Sequence, residues 1–281
     1  MRVTILVDNK ASGKLVPEHG FSAWIEAAGR QILFDTGQGP ALAENAERLS
    51  IDVRRADDLV LSHGHYDHTG GVPWVLERAP DIHVYCHPAS VSGRFAVRNG
   101  APKPISMPKA ASAALGSVRP ERMHWAEFPL EIAPGIGITG AIPRVTDYED
   151  TGGPFFLDAA GKRPDPIDDD LALWMRTEKG LVVVVGCSHA GLVNTLKTAV
   201  RLSGTSHIHA VIGGLHLLEA SWTRIARTAR ALRAFSPDTI IPCHCTGERA
   251  LESLRNAFGA RVAPGSIGAV FELGDMKVAG C

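Results

Sequence analysis

The stretch Leu61–Gly71, LSHGHYDHTGG, carries His63, His65, Asp67 and His68 within six positions. Neutral imidazole nitrogens and carboxylate oxygens are the ligands Zn²⁺ takes where no structural thiolate cage is present. In extended or loop backbone, side chains at i and i+2 point the same way. His63 and His65 are therefore set to grip one ion, while Asp67 and His68 turn toward a second. Gly64, Gly70 and Gly71 let the chain bend tightly around the ions. The apolar run Leu59–Leu61 reads as the end of a buried strand, Asp58–Ser62, that delivers the cluster. A polar loop that is merely rich in histidine is the competing reading, and the spacing directly after a strand speaks against it.

On either side of this motif, strand-like and helix-like patterns alternate. Arg2–Val7, Phe21–Ala28 and Gln31–Phe34 read as strands, the first as an edge strand. Ala41–Leu49 reads as a helix on the spacing of Leu42, Ala46 and Leu49. A helix over Gly71–Arg78 and a strand over Ile82–Cys86 follow. After residue 170 the rhythm becomes regular: a hairpin of Leu171–Thr177 and Leu181–Val185, a helix over Gly191–Leu202, a strand over Ile208–Ile212, a helix over Ala220–Phe235, a strand over Thr239–Ile241, a helix over Glu248–Phe258 and a closing strand over Ala269–Leu273. This alternation predicts an α/β layered fold. No repeat or linker divides it, so the expectation is one domain over residues 1–281 with an insertion.

That insertion, residues 88–120, is rich in Pro, Ala, Ser and Gly. It lacks Asp and Glu but carries Arg94, Arg98, Lys103, Lys109 and Arg119. It reads either as a mobile lid that recruits an anionic substrate or as a solvated surface loop. Residues 144–170 are acidic instead and read as a long loop that faces the insertion.

The chain has 281 residues, 45% of them hydrophobic, and a formal net charge of −1. That length and composition can bury a sizeable core, and the charge balance argues against a general nucleic-acid or anionic-membrane binder. No apolar run approaches the ~18 residues that cross a bilayer. The first residues turn polar after seven positions, too early for a secretory segment. Cys86, Cys187, Cys243, Cys245 and Cys281 are odd in number and not spaced as a disulfide framework. Reduced thiols in a cytoplasmic protein are the expectation.

Three later strand ends carry His or Cys: Cys187 and His189 in VVVVGCSHAG, His216 in AVIGGLH, and Cys243, His244 and Cys245 in TIIPCHCTG. Strand C-termini converging on one edge are the usual place for a site in layered α/β folds. Because strand neighbours alternate, Cys243 and Cys245 are expected to point away from His244 as packing residues.

The His63–His68 spacing resembles the HxHxDH motif of the metallo-β-lactamase superfamily. The resemblance implies an αββα sandwich, two mixed sheets flanked by helices, with a mononuclear or binuclear metal site at one edge. It further implies that His244 is the last metal ligand and that Cys187 bridges the two ions, unless Cys187 is a small buried thiol. The intermediate histidine of the family is absent from its usual place. Either His189 supplies that ligand, or one ion is less fully coordinated. Asp35, in LFDTG, matches a residue that supports the metal loop by hydrogen bonding, although an Asx turn fits the same position.

Residues 18–26 (EHGFSAWIE), 32–39 (ILFDTGQG), 168–175 (DDDLALWM), 186–195 (GCSHAGLVNT), 211–217 (VIGGLHL) and 240–247 (IIPCHCTG) resemble the signatures of one branch. It comprises 7,8-dihydropterin-6-methyl-4-(β-D-ribofuranosyl)aminobenzene 5′-phosphate synthase-like proteins, linked to methanopterin biosynthesis. The implied chemistry is hydrolysis or group transfer on a small anionic substrate, with two zinc ions, or iron or manganese in their place. By the same resemblance Asp67, His19 and His216 become candidate catalytic residues, and Arg144 with the basic insertion a candidate phosphate binder. As isolated histidines, His19 and His216 also read as structural. A protein of this fold that binds metal without turnover is the alternative.

Overall fold

A computed structural model describes residues 1–277; Cys281 lies outside the described residues. Two mixed sheets stack face to face. The first has seven strands in the order Val270–Glu272, Arg2–Val7, Ser22–Ala27, Arg30–Phe34, Asp58–Val60, His83–Cys86 and Met123–Trp125. The second has six, in the order Thr239–Cys243, Ile208–Gly214, Gly180–Val185, Ala172–Thr177, Ile136–Ile138 and Leu130–Ala133.

Alternation along the strands builds the layers. Val182 and Val184 face the space between the sheets, where they meet Val3, Ile5, Ile25 and Phe34. Leu181, Val183 and Val185 face the other way, onto the helices Leu192–Ser203, Trp222–Phe235 and Glu248–Phe258. The first sheet packs its outer face on Pro40–Arg48, Val72–Arg78 and Lys109–Gly116 through Leu42, Val72, Val75 and Leu115. Each such fully buried aliphatic side chain contributes roughly 1.5–3 kcal/mol. The result is the expected αββα sandwich.

Local signals explain where the helices stop and start. Trp222–Phe235 begins at Ser221, whose side chain accepts the Arg224 amide, and Leu192–Ser203 ends at Gly204 in the left-handed region, φ 65°. No described helix is long and apolar enough to cross a membrane.

Three expectations need correction. Arg2–Val7 is not an edge strand, because Val270–Glu272 pairs along its outer side. Residues 88–120 are not an irregular loop: they form a hairpin, Phe95–Arg98 with Ala101–Pro104, and the helix Lys109–Gly116. Residues 144–170 contribute a short strand, Phe155–Phe156, that pairs antiparallel with the hairpin. The basic insertion and the acidic loop thus do face each other, joined by backbone pairing and by Arg94 buried against Asp165 and Asp169.

Candidate metal centre

The site lies where strand ends from both sheets meet. After Asp58–Val60 the chain stays extended, then turns through one short helix, Tyr66–Thr69. His63 and His65 therefore leave extended backbone, whereas Asp67 and His68 leave a helical turn, which is why the pairs diverge. Asp35 follows strand Arg30–Phe34 and is fully buried with φ 56°. Its carboxylate accepts the Ser62 amide, the Ser62 hydroxyl and the His68 Nδ1–H, each at 2.7 Å. It braces the loop that carries the candidate donors through these bonds rather than through an Asx turn.

Four imidazoles are anchored from behind by Nδ1. His63 Nδ1 bonds the Ser62 hydroxyl (2.9 Å), His68 Nδ1 bonds Asp35, His189 Nδ1 donates to the Thr151 carbonyl (2.8 Å) and His244 Nδ1 to Asn9 Oδ1 (2.9 Å). Such bonds fix tautomer and ring orientation and turn Nε2 toward the centre. There, His63 Nε2 lies 3.0 Å from His65 Nδ1, and His68 Nε2 lies 3.2 Å from Cys187 Sγ. His244 Nε2 lies 3.4 Å from Asp67 Oδ2.

Four sets of donor atoms converge to within 4.8 Å of one another: His63, Cys187 and His189; His68, Cys187 and His244; His19, Asp67 and His244; and Cys187, His216 and Cys245. Cys187 is common to all but the third, and His65 stands against the first. His189 is thus brought together with His63 and Cys187. Two buried nitrogens, His65 Nε2 and His189 Nε2, have no hydrogen-bond partner. Leaving such atoms unsatisfied costs about 1–3 kcal/mol each, and for His189 Nε2, which faces the other donors, a cation is the partner its lone pair fits. Donors sharing one tetrahedral ion, with bonds of ~2.0–2.3 Å, stand about 3.3–3.8 Å apart, close to the separations found here. The residues fit a metal.

Their protonation agrees in part. Burial, reinforced by neighbouring histidines, holds His63 and His189 well below the usual histidine range, and burial pushes His65 down to about 3. All three are neutral donors. For His68 burial is outweighed by Asp35 and Asp67, which raise it to about 9. Burial also opposes the charge of Asp67, yet His68, His19 and His244 hold it well below the carboxylate range. Burial drives Cys187 up, and its neighbour Cys245 adds to this. Cys245 is held down instead, because its bond to Cys187 and the nearby His244 and His216 outweigh burial.

A cleft of about 260 Å³ opens over these donors. Its outer wall is the hairpin, which contributes Arg98 and Lys103, and Phe155 beside it. The Phe155 ring lies 5.4 Å from the rings of His65 and His189. Lys103 Nζ is 5.3 Å from the centre of the Tyr66 ring, and Arg98 pairs with Glu219 at 2.6 Å. His19 stands at the rim, 53% exposed, with Nε2 3.2 Å from Asp67. His216 lies deeper, its ring 4.2 Å from that of His189.

Two sequence readings fail here. Cys245 does not point away: His244–Thr246 is a 3₁₀ turn entered at φ 47°, so strand alternation has already ended. Its Sγ lies 3.4 Å from Cys187 Sγ, whereas Cys243 is a packing residue as expected. Arg144 does not line the cleft, and its guanidinium instead donates to the carbonyls of His189 (2.7 Å) and Pro166 (2.6 Å). Phe155, Thr151 and Asn9 carried no signal in their own segments. Asp35, Ser188, His216 and His244 are four of the nine described non-glycine residues with positive φ, so backbone strain concentrates at this site.

Known proteins resemble this chain in sequence and in fold. A synthase of Methanocaldococcus jannaschii, 7,8-dihydropterin-6-methyl-4-(β-D-ribofuranosyl)-aminobenzene-5′-phosphate synthase, is 31% identical over 83% of this chain and 82% of its own. The crystal structure of Tm1679, a metal-dependent hydrolase of the β-lactamase superfamily, superposes with a TM-score of 0.82 at 28% identity, covering 98% of this chain and 100% of that one. Zn²⁺-bound PqqB from Methylobacterium extorquens has a TM-score of 0.60 at 13% identity, over 97% and 100% of the two chains, and bears on the fold alone. The family model described as the metallo-beta-lactamase superfamily matches residues 15–244, and the chain belongs to that superfamily.

Proposed function

We propose that this protein is a metal-dependent enzyme carrying two divalent ions, zinc foremost, with iron or manganese as alternatives. Its reaction is hydrolysis or group transfer on a small anionic, pterin-related substrate. The observation that carries this reading is the pair of donor sets joined at Cys187 beneath a cleft rimmed by Arg98, Lys103 and Phe155. His63, His65 and His189 would hold one ion, Asp67, His68 and His244 the other, with Cys187 between them. Ions bound there would supply Lewis acidity, polarising an electrophilic oxygen and lowering the pKa of water to about 7.

The chain's own residues do the remainder. Lys103 attracts a phosphate into the cleft by charge-assisted hydrogen bonds, and Arg98 exchanges its pairing with Glu219 for the same group. Phe155 offers a ring to a planar aromatic group such as a pterin or an aryl amine. His19, at the rim beside Asp67, exchanges a proton with a substrate oxygen, and His216 closes the inner wall. Similarity to the dihydropterin-linked synthase favours a pterin-related substrate. A cytoplasmic setting with reduced thiols suits the four buried free cysteines.

The test is a metal-quantified preparation assayed on esters, lactones and phosphodiesters, and separately on a dihydropterin diphosphate with an aryl amine. Turnover of the first panel assigns a hydrolase; turnover of only the second assigns a synthase. His63→Ala and His244→Ala should abolish whichever activity is found while the chain remains folded. A protein that binds metal tightly yet turns over neither panel is the binding protein of the alternative reading.

A further inference from the structure

Cys245 and His216 belong to neither of the two donor sets assigned above, yet both turn into the centre. With Cys187 they form another set whose donor atoms all lie within 4.8 Å of one another. The two sulfurs are 3.4 Å apart, much longer than a disulfide bond of ~2.05 Å and close to the spacing of two donors on one tetrahedral ion. His216 Nδ1 is buried with no hydrogen-bond partner.

The backbone makes room for both side chains. Gly214 ends the strand that faces Cys245, and a Cβ there would come within 2.6 Å of Cys245 Sγ. A Cβ on Gly152 would overlap the His216 ring. His216 and His244 both adopt positive φ, at 46° and 47°, where the chain swings His216 and Cys245 inward. Two glycines and two strained turns thus converge on one small space.

We propose that Cys187, Cys245 and His216 form a third cation seat, on the inner wall of the cleft, for a soft divalent ion such as zinc or cadmium. Two sulfurs and an imidazole select such ions over magnesium or calcium, which take oxygen ligands. An ion in this seat carries two thiolates, whereas ions in the other two sets carry Cys187 alone. All three residues line the cleft. The proposal rests on the reading of this pocket as a metal centre.

Cadmium titration of the reduced, metal-free protein, followed by thiolate-to-cadmium charge-transfer absorption, tests it. Cys245→Ser should lose part of that absorption and weaken the affected binding step roughly tenfold or more. His216→Ala should weaken the same step, and Cys243→Ser, altered in the core, should leave the absorption per ion unchanged. X-ray absorption of cadmium-loaded wild type gives the same answer without a variant: more than one sulfur per ion, averaged over the bound ions. A Cys245→Ser titration that overlays wild type, or one sulfur or fewer per ion, overturns the third seat and leaves the other two standing. Wild type that takes up no cadmium or zinc overturns the metal-centre reading as well.

Discussion

Arg94 and Asp169 form a fully buried, two-pronged ion pair, and the same carboxylate accepts the amide of Gly64 at 2.7 Å, between His63 and His65. The hairpin that walls the cleft is thereby tied to the loop that presents two donors. Asp165 stands 3.1 Å from the Arg94 Nε on its other side. Removing the guanidinium leaves two buried carboxylates without their cation, a loss of about 3–5 kcal/mol in comparable cases. Arg94→Met is therefore expected to lower unfolding free energy by that order, measured by denaturant titration, and to weaken metal uptake. A loss under about 1 kcal/mol would show that the pair is incidental.

Asp35 acts on the centre through His68. Asp35→Ala removes the acceptor of His68 Nδ1 and of two Ser62 groups at once. Loss of such a partner typically costs 10–100-fold in metal affinity. Competition with a chromophoric chelator should show a drop of about that size, with Asp35→Asn falling between. Equal affinities in all three proteins would remove Asp35 from the site.

Gly64 is required by proximity rather than by backbone angle. A Cβ there would overlap the carbonyl oxygen of Ser90, a backbone atom that cannot swing aside. Gly64→Ala should force the His63–His65 loop off its seat, at about 1–3 kcal/mol of stability for overpacking and with loss of metal stoichiometry. A variant that binds a full complement of metal at wild-type stability would refute this account.

Much of the layered fold could be read from the chain, because period-two apolar runs such as Gly180–Val185 and amphipathic runs such as Glu248–Phe258 encode their own burial. The motif at His63–His68 was equally legible, since local spacing alone brings its donors together. Cys245 was not, because its direction depends on the left-handed turn at His244, which no local composition announces. The hairpin Phe95–Pro104 was hidden for a related reason. Its pairing partner, Phe155–Phe156, lies about sixty residues away, and its Pro and Gly content mimics a loop. Arg144 misled in the opposite way: an arginine beside a site invites a phosphate, but carbonyls elsewhere in the chain had already claimed it.

Asp170 makes the metal-free protein's stability depend on pH. Its carboxyl is buried, with Oδ2 accepting the Ala190 amide at 2.7 Å and Oδ1 lacking any partner. Burial, with Asp169 nearby, raises it from 3.8 to about 7. The folded chain therefore holds this proton more tightly than the unfolded chain does. The stabilisation is fully present below about pH 4 and is lost as pH rises through about 7, up to roughly 4 kcal/mol from a single group. Asp170→Asn keeps an acceptor for the Ala190 amide and removes the titration. In the presence of chelator, wild type should lose stability relative to Asp170→Asn between pH 4 and 8, with the difference levelling above that range. Denaturant midpoints that run parallel for the two proteins across this window would mean that Asp170 ionises without cost to the fold.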